Sequence, residues 1–96
     1  MRFAVSVRRA AKADIREARR WYETQRAGLG DEFLAEISVA LIGLETSADQ
    51  LSPYYLDYRR LIIRRFPFKI FYLVVADRVA VFRVLHSSRD HTHHLR

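Results

Sequence analysis

The chain has 96 residues, of which 50% are hydrophobic and 29% charged, a composition that predicts one folded domain over residues 1–96 and excludes a disordered chain. It contains no cysteine, which excludes disulfides, thiolate catalysis and cysteine-based metal sites. Its formal net charge of +6 favours an acidic partner, such as nucleic acid, a ribosomal surface or an acidic protein segment, over a merely basic protein without one.

Neither a membrane span nor a targeting segment is predicted. The longest apolar run is far too short to cross a bilayer. The N-terminus lacks the apolar segment and the small-residue cleavage site of a signal peptide. We therefore expect a cytoplasmic protein with no membrane partner.

The first half of the chain predicts a strand followed by two helices. Residues 2–8 alternate, with Phe3, Val5 and Val7 on one face, as in a half-buried strand at or near a sheet edge. From about Arg9 to Arg26 the apolar spacing becomes three and four, which predicts a helix with the stripe Ala11, Ile15, Ala18, Trp21/Tyr22 and Gln25. Gly28-Leu29-Gly30 predicts a C-cap and a tight reversal.

A second helix is predicted from Asp31, as its cap, to about Glu45. Its expected buried residues are Phe33, Ile37, Leu41 and Leu44, with Leu34 and Ile42 broadening the stripe. Because the connection is so short, the two helices should form an antiparallel hairpin that covers one face of a sheet.

The second half predicts three strands after a loop over residues 46–58. The runs 59–65 and 68–75 are rich in β-branched and aromatic residues and are separated by Pro67, which lacks an N–H and suits a turn. Val79–His86 is the last strand, with one face carrying Ala80, Phe82, Val84 and His86 and the other Val81, Arg83 and Leu85. The prediction is an α+β fold, β-α-α-β-β-β, with the helical hairpin on a three-stranded antiparallel meander.

The sequence predicts neither a cofactor nor a metal site. The cluster His91-Thr92-His93-His94 could bind zinc or nickel, but no structured fourth ligand accompanies it. The serines lack the signature of a nucleophile elbow, and Gly28 and Gly30 lack the lysine of a phosphate-binding loop.

Cations on the predicted sheet are the main candidate for chemistry. Arg60 and Arg64 should share one face of their strand, and Arg59 and Arg65 the other. With Lys69, Arg83, His86 and Arg89 they suit phosphates and stacked bases. They also suit metal-free RNA cleavage, in which His86 would exchange protons while arginines stabilise the phosphorane. The alternative is that the arginines pair with Asp57, Asp77 and Asp90.

Several motifs occur in a characteristic order. Ala11-x-x-Asp14-Ile15 opens the first helix, Trp21-Tyr22 lies near its end, and Gly28-Leu29-Gly30-x-x-Phe33 forms the hairpin. Arg65-Phe66-Pro67-Phe68-Lys69-Ile70-x-Tyr72 lies in the sheet and His86-x-x-Arg89-Asp90 near the end. Together they resemble the RelE/ParE toxin superfamily of bacterial type II toxin–antitoxin systems, and the Gly-Leu-Gly and Arg-Phe-Pro-Phe segments are closer to the ParE (plasmid stabilisation) branch.

The resemblance implies a toxin that causes growth arrest and a cognate antitoxin, of the ribbon-helix-helix, ParD-like kind, which forms a hetero-oligomer with it. A ParE-like chain would inhibit DNA gyrase without being an enzyme, and its target-binding residues would be Arg60, Arg64, Arg83, His86 and Arg89. A RelE-like chain would cleave mRNA on the ribosome with Lys69, Arg83, His86 and Arg89. Leu95 falls about where RelE members carry a tyrosine, which favours the gyrase inhibitor. A third alternative is an inactive relic that only binds the antitoxin.

The antitoxin site is predicted from the apolar hairpin and a neighbouring strand edge, a combination that suits helix docking and strand addition. The expected contacts are Trp21, Tyr22, Phe33, Arg59 and Arg60, although Trp21 and Phe33 could equally be core residues.

Overall fold

The computed structural model of the chain describes residues 2–88 and Leu95. Its elements are β1 (Ala4–Val7), α1 (Arg9–Gln25), α2 (Leu29–Ser47), a short 3-10 helix (Ala48–Gln50), β2 (Pro53–Tyr55), β3 (Tyr58–Ile63), β4 (Phe68–Val75) and β5 (Arg78–His86). The strands form one sheet in the order β1-β5-β4-β3-β2. β1 runs parallel to β5, and the other neighbours are antiparallel. In the part of the chain that is described, no helix is long and apolar enough to cross a membrane.

The α+β prediction is confirmed, including the edge position of the first strand, with one extra strand. Pro53–Tyr55 lies in the predicted loop but pairs with Tyr58 and Arg59 as β2. A proline is tolerated there because β2 is an edge strand, and the two tyrosines have high β propensity.

The turn between the helices is held by Glu23 near the end of α1. Its two carboxylate oxygens accept hydrogen bonds from the backbone N–H groups of Gly28, at 2.9 Å, and Gly30, at 3.0 Å. These N–H groups belong to the start of α2, where the helix itself offers no acceptor. The prediction that Asp31 caps α2 was therefore wrong: Gly28 is the N-cap, and Asp31 lies within the first turn.

The two glycines of the turn have different roles. Gly28 has φ +89°, a left-handed conformation that side chains disfavour. Gly30 allows a close approach, since a Cβ there would lie 2.6 Å from the carbonyl oxygen of Arg19. The Gly-Leu-Gly sequence thus fixes how tightly α2 packs against α1.

The main core lies between the helical hairpin and one face of the sheet. Its aromatic centre is a group of rings in which Tyr22 lies 4.8 Å from Phe66 and Phe33 lies 5.1 Å from Phe68, measured between centroids. Further along β4 the hydroxyl of Tyr72 donates to the carbonyl of Ala48 at 2.8 Å, which ties the sheet to the end of α2.

A β-bulge reverses the predicted faces in the second half of β5. Phe71 pairs with Arg83 while Tyr72 pairs with Val81, so Phe82 is an extra residue. Beyond the bulge Val84 therefore shares the helix-covered face with Val79 and Val81. The prediction of simple alternation was wrong from Phe82 onward, because one inserted residue moves every later side chain to the other face.

The opposite face of the sheet carries a second, smaller core. Phe71, Leu85 and Leu95 are buried there, and Tyr55 and Tyr58 pack against them. Apolar side chains thus occupy part of the sheet face that the helices leave uncovered, the face that was predicted to present the cations.

Candidate functional site

Arg83, predicted as a target-binding or catalytic residue, forms an ion pair with Asp14 of α1. Its Nε and Nη2 donate to the two carboxylate oxygens at 2.8 and 2.9 Å, and the N–H of Val84 donates to the same carboxylate at 2.9 Å. β1 pairs only with residues 78–81 of β5. At Val84, beyond the end of β1, the Asp14 carboxylate therefore accepts the backbone hydrogen bond that a neighbouring strand would otherwise accept. The hydrogen bond to Asp14 raises the pKa of Arg83 above its ordinary value.

Two further predicted arginines bind groups of the protein itself. Arg59 donates to the carbonyl oxygens of Asp49, at 3.0 Å, and Leu51, at 2.7 Å. Arg65 forms an ion pair with Glu32 of α2, and its hydrogen bond lowers the pKa of that carboxyl group. The partners of Arg59, Arg65 and Arg83 are therefore carboxylates of the two helices and carbonyl groups that follow α2. Asp57 and Asp77, the alternative partners considered from the sequence, do not bind these three arginines.

The remaining predicted cations do not converge on one point. The guanidinium of Arg60 lies 3.8 Å from the centre of the Tyr54 ring, at the β2 edge of the sheet. Arg64 is exposed in the turn after β3, and Lys69 is half-buried opposite Ile62. Arg89, Asp90 and the cluster His91–His94 lie outside the described residues.

A cleft of about 610 Å³ opens between α1 and the adjoining ends of β4 and β5. Its lining combines aromatic rings with two carboxylates and one imidazole: Asp14, Glu17, Ala18, Trp21, Tyr22, Pro67, Phe68, Val84, Leu85 and His86. The indole of Trp21 is 57% exposed, which is unusual for the largest apolar side chain. An apolar cleft with a few polar groups is the usual form of a binding site for a ligand or for a partner's side chain.

His86 forms one rim of this cleft. Its ring packs edge-on against Phe68, with centroids 5.4 Å apart. The N–H of Ser88 donates to Nδ1 at 3.2 Å, and the Ser88 hydroxyl lies 2.7 Å from the same nitrogen. Nδ1 is thus an acceptor.

The residues predicted to bind an antitoxin fall into two separate regions. Trp21 and Tyr22 line the cleft, with Phe33 fully buried behind Tyr22. Arg59 is distant from the cleft. It pairs with Tyr72, which is four positions along β4 from Phe68, a residue of the cleft lining. Four strand positions correspond to about 13 Å.

The outer face of α2 is an apolar surface that the sequence analysis missed. Leu34 is 38% exposed, Val39 68% and Ile42 63%, so the prediction that Leu34 and Ile42 join the buried stripe was wrong. No charged residue occurs between Ile37 and Leu44, and apolar residues occupy both sides of the helix. This all-round apolar composition could have indicated a second buried face.

Comparison with known proteins shows which family the chain resembles. The model of the family described as "ParE toxin of type II toxin-antitoxin system, parDE" matches residues 5–91. A solved structure described as the chromosomal ParDE TA system from P. aeruginosa has a similar fold, with a TM-score of 0.75 at 20% sequence identity. The match covers 88% of this chain and 95% of that one. No curated protein matches the sequence.

Proposed function

The chain belongs to the ParE toxin family of type II toxin–antitoxin systems, and we propose that it inhibits DNA gyrase and is neutralised by a cognate antitoxin. The observation that carries the proposal is the family match, which extends over residues 5–91 and so includes both helices and every strand, except for Ala4 of β1. In the proposed complex the antitoxin is a small ribbon-helix-helix, ParD-like protein and the assembly is a hetero-oligomer in the cytoplasm.

Two exposed apolar surfaces support a protein partner. The outer face of α2, with Leu34, Val39 and Ile42, suits an amphipathic helix of the antitoxin, because such a helix binds by burying its apolar side against an exposed apolar surface. The cleft beside Trp21 suits an inserted side chain, since large exposed aromatic residues are frequent hot spots. We propose that the antitoxin covers both surfaces.

The alternative, ribosome-dependent mRNA cleavage, receives less support from the geometry. Arg83 is bound by Asp14 in a part-buried ion pair, so its charge is already compensated. Lys69 follows Phe68 in β4 and therefore projects from the face opposite to the one on which Phe68 meets His86. Lys69 and His86 thus do not converge on one scissile phosphate, and we propose a non-enzymatic inhibitor that needs no cofactor or metal.

Expression of the chain in cells that carry a reporter plasmid distinguishes the alternatives. The expected result is growth arrest with loss of negative supercoiling in the plasmid, both reversed when the antitoxin is expressed from a second promoter. Growth arrest with normally supercoiled plasmid and cleaved mRNA would contradict gyrase inhibition and favour the nuclease. Unaffected growth at a verified protein level would favour the inactive relic.

A further inference from the structure

The outer side of α1 carries a row of exposed cations. These residues follow one another at spacings of three and four, and we refer to them as the α1 cationic stripe: Arg9, Lys12, Arg16 and Arg20. All are exposed, and within residues 2–88 none of them takes part in an ion pair. Of the carboxylates of α1, Asp14 and Glu17 line the cleft. Glu23 adjoins Arg16 and Arg20, but both of its oxygens accept hydrogen bonds from the hairpin turn.

This arrangement opposes the stability of the helix. Residues three and four apart are neighbours on a helix, so Lys12 repels Arg16, and Arg16 repels Arg20. Arg9 and Lys12 also lie near the N-terminus, where the helix dipole disfavours positive charge, and the first turn holds no acidic residue. Stability alone would favour carboxylates here, and local conflicts of this kind are expected at functional sites.

The shape of the stripe indicates what it could bind. From Arg9 to Arg20 it extends about 16 Å along a convex helix. Its members include no aromatic or large aliphatic residue that could anchor a protein partner, whereas interface hot spots are mostly aromatic residues or arginines in desolvated pockets. A row of exposed cations instead complements the charge of a nucleic acid strand, which carries one phosphate per 3.4 Å of helix axis.

We propose that the α1 cationic stripe binds the phosphodiester backbone of a nucleic acid duplex, DNA or RNA, without reading its sequence. This contact lies on a surface separate from the cleft and from the apolar face of α2, so it does not depend on gyrase inhibition.

Fluorescence anisotropy with a labelled, mixed-sequence duplex tests the proposal. The probe is a DNA duplex of about 20 base pairs, and a second arm uses the RNA duplex of the same sequence, titrated between about 50 and 200 mM NaCl. The test variant is Lys12→Gln/Arg16→Gln. The control variant is Arg2→Gln/Arg78→Gln, which removes two exposed cations from other surfaces, Arg2 being paired with Glu45, and has the same net charge.

The wild type is expected to bind both duplexes, with a dissociation constant below about 100 µM at the lowest salt. The stripe variant should bind roughly tenfold or more weakly, and its plot of log K against log salt should be shallower by about two. Its thermal stability should be unchanged or higher, because the repulsion is relieved. Binding of only one duplex would identify the source of the phosphates. The proposal is overturned if the wild type binds neither duplex, or if the control variant loses as much affinity as the stripe variant.

Discussion

Asp14 and Arg83 are 69 positions apart in sequence, yet the carboxylate of one binds two nitrogen atoms of the other at 2.8 and 2.9 Å. The pair joins α1 to the last strand of the sheet just beyond the point where β1 ends. It is part-buried, with side-chain exposures of 12% for Asp14 and 23% for Arg83. A charge that the sequence analysis assigned to target binding therefore has a structural partner.

Asp14→Asn should destabilise the fold by about 1–3 kcal/mol, because it leaves the part-buried guanidinium without its counter-charge. Urea unfolding monitored by circular dichroism measures the loss. The double variant Asp14→Asn/Arg83→Gln removes both charges and should be less destabilised than the sum of its single variants. Additive losses would contradict a coupled pair.

Gly30→Ala should destabilise the hairpin by about 1–3 kcal/mol, since the new methyl group would collide with the carbonyl oxygen of Arg19 and with the Glu23 carboxylate. Gly43→Ala is the matched control. Gly43 lies inside α2 with open space around it, so alanine there should stabilise the protein by about 0.5–1 kcal/mol. The two substitutions should shift the midpoint of thermal unfolding in opposite directions. Equal shifts would mean that the close approach of the helices at Gly30 is unimportant.

The ion pairs of Glu32 with Arg26 and Arg65 should make stability depend on pH. These arginines lower the pKa of Glu32 below its ordinary value of 4.5, so the contribution is present above that pH and is lost as the pH falls through the lowered pKa. Urea midpoints of the wild type and Glu32→Gln should differ at neutral pH and converge as the pH falls through the lowered pKa of Glu32. A difference that stays constant with pH would argue against this ionisation.

Trp21→Ala should weaken antitoxin binding by about tenfold or more while leaving the fold intact, because the indole is 57% exposed and lines the cleft. Val75→Ala is the control, since Val75 is 68% exposed but lies at the opposite end of β4. Isothermal titration with the purified antitoxin measures both. Equal affinities for wild type and Trp21→Ala would exclude the cleft from the interface.

The order of helices and strands could be predicted because hydrophobic periodicity is a local property. The hairpin could be predicted for the same reason, from Gly28-Leu29-Gly30 between two amphipathic segments. The bulge at Phe82 could not, because it depends on how β5 aligns with β4. The pairing of β2 with the start of β3 could not be predicted either, because the β propensity of Tyr54 and Tyr55 does not specify a partner strand.

The candidate site was less predictable than the fold. The partners of Arg65 and Arg83 are carboxylates 33 and 69 positions away, and only the tertiary structure brings them together. Residue types alone therefore overstated how many sheet cations are available to a target. The exposed apolar face of α2 was also unpredictable. Because apolar residues occupy both sides of this helix, periodicity could not decide which side packs against the sheet and which side stays exposed.

Supercoiling of relaxed plasmid by purified DNA gyrase tests the central claim most directly. Addition of the purified chain should inhibit supercoiling at near-stoichiometric concentration, and prior addition of the antitoxin should restore it. The Asp14→Asn/Arg83→Gln variant, once shown to be folded, indicates whether the ion pair matters beyond stability. Full gyrase activity in a large excess of folded wild-type chain would contradict the proposed function.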